Sequence, residues 1–229
     1  MSAPVTSESE WQVRLAGLPA WQLPLVPTLV IAPHPDDETL GVGGMIAALR
    51  SRGVPVTVVA VTDGENAYGE MPQLGRVREQ EQIEALDRLG VEPEDIKRLR
   101  LTDSDVSASE QQLIDSLLLL VSGETHLVAP WKGDFHPDHE VCGRAAEAVA
   151  KLKKVPLTSY FFWTWHRAKA ELLDGLGVVS LPLGEREQRA KEEALLCHRS
   201  QLEHESGHPI LPRELLEPAR RGFEVLLPL

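Results

Sequence analysis

Two short runs of apolar, β-branched residues, TLVIA at 28–32 and VPVTVVAV at 54–61, constrain this chain more than any other feature. Each is short for a helix and neither alternates with polar residues. Each therefore reads as a strand buried on both faces, as in a parallel sheet covered by helices. The intervening pattern agrees. Residues 39–52 place Leu40, Ile46 and Leu49 on one side of a helix ending at Gly53, and residues 74–89 form an amphipathic helix stopped by Gly90. A loop, Asp63-Gly64-Glu65-Asn66, separates them.

Further strands are expected over 96–101, 125–129 and 156–163, with a final short one over 223–227. Helices are expected over 110–122, closed by Gly123, over 138–152 and over 185–201. This alternation implies right-handed crossovers and an α/β fold, a three-layer Rossmann-like arrangement with a mostly parallel sheet flanked by helices. The stretch 204–221, rich in Pro, His and charge, reads as an irregular surface segment. No repeat or low-complexity linker interrupts the 229 residues, so one domain is expected over 1–229, its core at about 26–227 and residues 1–25 an N-terminal extension.

The net charge of −12 argues against a nucleic-acid partner, which needs Lys and Arg to displace counterions, and against docking on anionic lipid. No apolar run approaches the roughly 18 residues of a membrane span. Residues 1–11 are polar and lack a basic stretch followed by an apolar one, so the cytoplasm is the expected address. Cys142 and Cys197 show no metal or redox spacing and read as small buried residues. A small-molecule partner is expected; the oligomeric state is left open, a homo-oligomer being compatible with everything above.

Two histidine–carboxylate clusters carry the chemistry. His34-Pro35-Asp36-Asp37-Glu38 directly follows the first strand, and Asp134-Phe135-His136-Pro137-Asp138-His139 directly follows the fourth. Ligands of open α/β sheets bind beyond the carboxyl ends of the strands, so the two clusters are expected to share one cleft. Imidazoles with a carboxylate and no thiolate suit a catalytic zinc with one position open, at which a bound water has its pKa lowered to near 7. The donors exceed three, leaving a carboxylate for general-base work and an imidazole for oxyanion stabilisation. Helix capping by Asp36, Asp37 and Asp138 is the competing explanation, but it does not account for paired His-Pro-Asp.

These motifs resemble those of the PIG-L/LmbE-like deacetylases. The resemblance runs over about 26–227: Ala32-Pro33-His34-Pro35-Asp36-Asp37-Glu38, with Pro33 a small departure; Gly41 and Gly43-Gly44; Thr62-Asp63-Gly64-Glu65; Arg78, Glu81, Ala85 and Leu89-Gly90; the second cluster; and Lys191, Ala194, His198 and Ser200-Gln201. It implies a zinc-dependent hydrolase that deacetylates N-acetylated amino sugars or glycoconjugates. His34, Asp37 and His139 would hold Zn2+, other divalent transition metals being chemically acceptable. Asp36 would be the general base, and His136 the oxyanion stabiliser or acid, oriented by Asp138. Arg78 occupies a position that contacts substrate in such proteins. Another acyl amide, an ester, or a non-catalytic sugar or nucleotide site are the alternatives.

Asn66 and Asp103, at the same sheet edge, are candidates for sugar hydroxyls. Trp163, Trp165 and His166 follow the fifth strand there and read as core packing or an aromatic wall. Gly41, Gly43 and Gly44 fit close helix-to-sheet packing, since their spacing is not that of a dinucleotide loop. His126 reads as structural, His198 as part of a packed hydrogen-bond network, and His204 and His208 as solvated. No GxSxG elbow is present.

Overall fold

The computed structural model describes residues 4–68, 71, 73–203 and 209–229. Seven strands form one sheet in the order β3-β2-β1-β4-β5-β7-β6. They are β1 (Thr28–Ala32), β2 (Val56–Ala60), β3 (Ile96–Arg98), β4 (His126–Pro130), β5 (Leu157–Tyr160), β6 (Val179–Pro182) and β7 (Phe223–Pro228). The first five run parallel, and β7 is antiparallel to both β5 and β6. The longer helices are α1 (Glu8–Leu15), α2 (Asp37–Arg50), α3 (Leu74–Arg88), α4 (Glu110–Leu120), α5 (Pro137–Lys153) and α7 (Glu185–Leu195). Single turns α6 (Thr164–Arg167), α8 (Arg199–Leu202) and α9 (Arg213–Leu216) complete the set.

Alternation along the buried strands divides the interior. Val30, Ala32, Val56, Val58 and Val128 pack beneath α2, α3 and α7, while Leu29, Ile31, Val59, Leu127 and Ala129 face α4 and α5. The centre of the sheet is thus covered on both sides, which is why β1, β2 and β4 are buried along almost their whole length. Chain order reverses direction at β1, whose neighbours are β2 and β4. This switch point leaves a crevice at the carboxyl ends of β1 and β4, the two strands that precede the histidine–carboxylate clusters.

Helix α2 enters the crevice almost wholly buried. A Cβ at Gly41 would collide with the Tyr160 ring, and one at Gly44 with Leu183, so these glycines let the helix lie against the sheet. The helix is interrupted at Val42 (φ −140°, ψ 23°). There Glu224 of β7 accepts hydrogen bonds from the backbone N–H groups of Gly44 and Met45 at 2.7 and 2.9 Å, and Lys191 pairs with it at 2.7 Å. A side chain inserted into the helical ladder is a recognised cause of such a kink.

Three sequence expectations change. The late helix over 185–201 is two pieces, α7 and α8, with His198 and Gln201 buried at and beyond the break. The segment beyond 208 is not a surface stretch: Leu211, Leu215, Leu216 and Ala219 are buried with Leu40, Phe162 and Leu195. His204 and His208 lie outside the described residues. The extension before residue 26 contributes α1, capped by Ser7, and Trp11, which packs edge-on to Trp165 at 5.0 Å. No helix among the described residues is long and apolar enough to cross a membrane. Cys142 and Cys197 are free and buried.

Candidate metal centre

His34 leaves β1 on a turn in which the N–H groups of Asp36 and Asp37 both bond to its carbonyl. Its ring lies between three carboxylates: Nδ1 is 3.0 Å from Asp37 Oδ2, and Nε2 is 3.2 Å from Asp138 Oδ2 and 3.3 Å from Asp103 Oδ1. Across the crevice, His139 Nε2 lies 3.1 Å from the same Asp37 Oδ2. Donor atoms of His34, Asp37 and His139 all fall within 4.8 Å of one another, and so do those of His34, His136 and Asp138. Residues about 100 positions apart in sequence therefore meet.

The residues fit a divalent cation, and the clearest sign is an orphan. His139 Nε2 is buried with no hydrogen-bond partner. Its other nitrogen, Nδ1, is 2.9 Å from Asp134 Oδ2. A proton on Nδ1, donated to that carboxylate, leaves the Nε2 lone pair directed at the cluster, which is the usual arrangement of a ligating histidine. Without a cation, the same carboxylates favour a proton on the His34 and His139 rings. Burial depresses His139, yet Asp37 and Asp134 push it up to about 9, and the carboxylates around His34 raise it too against its burial. Asp37 is held far below the usual carboxylate range, its own burial outweighed by His139 and His34.

Asp36 behaves oppositely. Burial, then the charge of Asp37, push it up to about 8, with Arg78 opposing. A carboxylate that takes a proton near neutral pH suits a general base. Neither Asp36 nor Asp138 caps a helix: Asp36 makes no side-chain cap bond, and the cap of α5 is His136, whose Nδ1 accepts the Asp138 N–H at 3.3 Å. Asp138 is expected from the sequence to orient His136, but the hydrogen bond between them comes from its backbone N–H rather than its carboxylate. Its carboxylate faces His34 and accepts the N–H groups of Ser104 and Val106 at 2.9 and 3.2 Å. It thereby ties the loop after β3 to the centre.

The centre opens into a cleft of about 110 Å³ whose lining includes His34, Asp36, Arg78, Asp103, His136 and Trp163. Arg78 is buried; it donates to Gly64 C=O at 2.8 Å and Gln201 Oε1 at 3.0 Å, and its Nη2 lies 3.7 Å from Asp36 Oδ2. Gln201 in turn donates to Pro35 C=O at 2.7 Å and lies 3.3 Å from His198, so α8 braces the first cluster from behind. Asn66 is not part of the lining. Its backbone N–H and amide hold Asp103 at 2.9 and 2.8 Å. Trp165 belongs to the core with Trp11, whereas Trp163 lines the cleft.

Asp134 is the residue that sequence reasoning undervalued, its place five residues before His139 being the available signal. Fully buried, it accepts from His139, from the N–H groups of Phe162, Trp163 and Thr164, and from Thr164 Oγ1 at 2.6 Å. Asp134→Asn keeps the shape and removes the charge, so metal affinity is expected to fall roughly 10–100-fold. A chelator-competition titration of the folded variant measures it; unchanged affinity would remove Asp134 from this role.

An α/β sheet whose switch point gathers two imidazoles and a carboxylate, beside a spare carboxylate and an open cleft, has the architecture of a metal-dependent hydrolase. Residues 29–150 match the PIG-L family, described as GlcNAc-PI de-N-acetylase, and the chain belongs to that family. It is 30% identical over 187 residues, 76% of this chain and 83% of the relative, to the Bacillus subtilis (strain 168) protein named "Probable N-acetyl-alpha-D-glucosaminyl L-malate deacetylase 2". It is 29% identical over 194 residues to 1D-myo-inositol 2-acetamido-2-deoxy-alpha-D-glucopyranoside deacetylase of Corynebacterium diphtheriae, covering 72% of this chain and 65% of that one. Among solved structures, N,N'-diacetylchitobiose deacetylase from Pyrococcus horikoshii shares the fold, with a TM-score of 0.65, 21% identity and coverage of 89% and 83% of the two chains.

Proposed function

We propose that this protein is a zinc-dependent deacetylase that hydrolyses the acetamide of an N-acetylated amino sugar or its glycoconjugate. The observation that carries the reading is the convergence of His34, Asp37 and His139 within 4.8 Å, with the orphaned His139 Nε2 turned towards Asp37 beside the cleft. Family membership and the names of the relatives above supply the acetamide and the sugar.

His34, Asp37 and His139 would hold a divalent ion, which would supply Lewis acidity and make water acidic enough to attack at neutral pH. Asp36 takes the proton of the attacking water on its carboxylate. It is buried, so a proton transferred there is not lost to bulk solvent before the amine needs it. His136 has its Nδ1 occupied by the Asp138 N–H, which places its proton on Nε2 as a donor for the oxygen that gains charge as the carbonyl carbon becomes tetrahedral. Asp138 and Asp103 keep His34 in place, and Arg78 and Asp103 offer charged groups to sugar hydroxyls at the cleft wall. The amine leaves with a proton and acetate remains. We assign the enzyme to the cytoplasm, a reducing compartment suited to the free, buried thiols of Cys142 and Cys197.

Acetate release from N-acetylglucosaminyl compounds tests the reading. The zinc-loaded protein is expected to turn over at least one of them, to stop on chelation and to resume on reloading. A panel with longer acyl groups and esters separates a deacetylase from a broader acyl hydrolase. Silence of the loaded protein across N-acyl amines would overturn the proposal.

A further inference from the structure

His136 faces the cleft, yet its ring is held by little hydrogen bonding. Among the described residues its only side-chain hydrogen bond is the 3.3 Å contact from the Asp138 N–H, and Asp138's carboxylate is turned to His34. An imidazole that must meet a developing charge needs its orientation fixed by surrounding packing. The rings of His34 and His139 meet it edge-on and tilted at 5.0 and 5.1 Å, and the face-to-face partner is Trp163, whose ring stacks at 5.7 Å with an interplanar angle of 19°. Trp163 in turn carries the guanidinium of Arg167, 4.1 Å from the ring centroid. Arg167 also donates to the carbonyl of Phe135, the residue before His136, which sits in the left-handed region at φ 59°. No carboxylate among the described residues pairs with Arg167, so its charge is directed to this indole and this carbonyl.

The turn that bears Trp163 is itself anchored at the centre. Its N–H groups at Phe162, Trp163 and Thr164 bond to Asp134, the carboxylate that orients His139. One turn after β5 thus touches both histidines of the second cluster, His139 through Asp134 and His136 through an indole face.

From this geometry we infer that Trp163 and Arg167 are positioning residues that fix the His136 imidazole over the cleft. The inference rests on the deacetylase reading for its kinetic consequence and on the stacking alone for its structural one. A stacked indole removes rotational freedom from the neighbouring ring, and a cation over the indole restrains the indole in turn. Loss of either loosens His136 while leaving His34, Asp37 and His139 as they are. Trp163 is therefore more than a wall of the cleft.

The experiment combines kinetics with the ring spectrum of His136 in the zinc-loaded protein, recorded by nitrogen-correlated NMR. Trp163→Leu is expected to lower kcat about tenfold, with KM within about twofold and zinc content unchanged. It should also broaden or split the single set of His136 ring resonances expected of the native protein. Trp163→Phe, which restores an aromatic face, should recover most of both. Arg167→Met, at an exposed position, should show the same changes in smaller measure and carries the test if Trp163→Leu does not fold. An unaltered ring spectrum and kcat would overturn the inference, as would a loss confined to KM, which would make Trp163 a substrate wall. A disturbed His136 spectrum in a protein whose native form cleaves no N-acetyl amine would retain the positioning role and overturn the deacetylase reading instead.

Discussion

Asp36→Asn is expected to leave the divalent ion bound and to lower kcat roughly 10²–10⁴-fold, the range ascribed to a positioned general base. The substitution preserves the shape of a fully buried side chain and its contact with Arg78, 3.7 Å away, but an amide cannot accept the proton. The environment is what singles out Asp36 rather than Asp37 for the proposed role. Adjacent in sequence, they titrate in opposite directions: Asp36 is pushed up to about 8 by burial and then by its neighbour's charge, while Asp37, facing two histidines, is driven down. Two carboxylates with diverging proton affinities are a recurrent sign of divided labour. Steady-state kinetics with metal analysis of the same preparation measures the effect. A variant retaining more than about a tenth of native kcat would exclude Asp36 as the base, and one that loses its metal would make Asp36 a ligand.

His139→Ala is expected to abolish both turnover and the stabilisation conferred by zinc. Three carboxylates, those of Asp37, Asp103 and Asp138, lie around His34, and a cation offsets their mutual repulsion. Binding at about 100 times Kd adds about 2.7 kcal/mol to the folded state, or roughly 5–10 °C in Tm for a chain of this size. Native protein should show that rise on titration with zinc and lose it to a chelator, whereas His139→Ala should show neither. The pH dependence has a definite sign. Ligation requires neutral imidazoles, and His139 is raised to about 9, so zinc must displace protons and its affinity should fall as pH falls. Thermal melts with and without zinc at several pH values measure this. An equal zinc-induced shift in His139→Ala would place the ion elsewhere, with the second donor group of His34, His136 and Asp138 as the alternative.

The candidate site was legible in the chain to a considerable depth because its parts are local. Whether a run is buried on both faces is written in its composition, so β1, β2 and β4 could be placed within a residue or two, and with them the points at which the chain turns at the carboxyl edge. That the two histidine–carboxylate clusters share one cleft follows from that, since ligands of open α/β sheets bind where these strands end; the choice of His34, Asp37 and His139 as the ligand set came from the family resemblance. The single turns α6, α8 and α9, the edge strand β6 and helix α1 were not legible. Each is short and takes its stability from burial against distant parts of the chain: Trp11 against Trp165, and Leu215 and Leu216 against Leu40 and Phe162. Composition alone made 204–221 look solvated, and only the cleft-side packing of its apolar members shows otherwise.

Taken by itself, the amino-acid order determined the layered α/β architecture, the edge at which chemistry happens and the residue types that can hold a cation, because strand burial, turn position and ligand chemistry are properties of a few neighbouring residues. The tertiary structure decided which atom each of those residues faces. Glu224 opens the ladder of α2 from 180 residues away, Asp138 turns to His34 across 104 residues, and Asp134 gathers a turn 28–30 residues beyond it. Such contacts cost chain entropy to close and are selected by the packed fold as a whole, so no local pattern announces them.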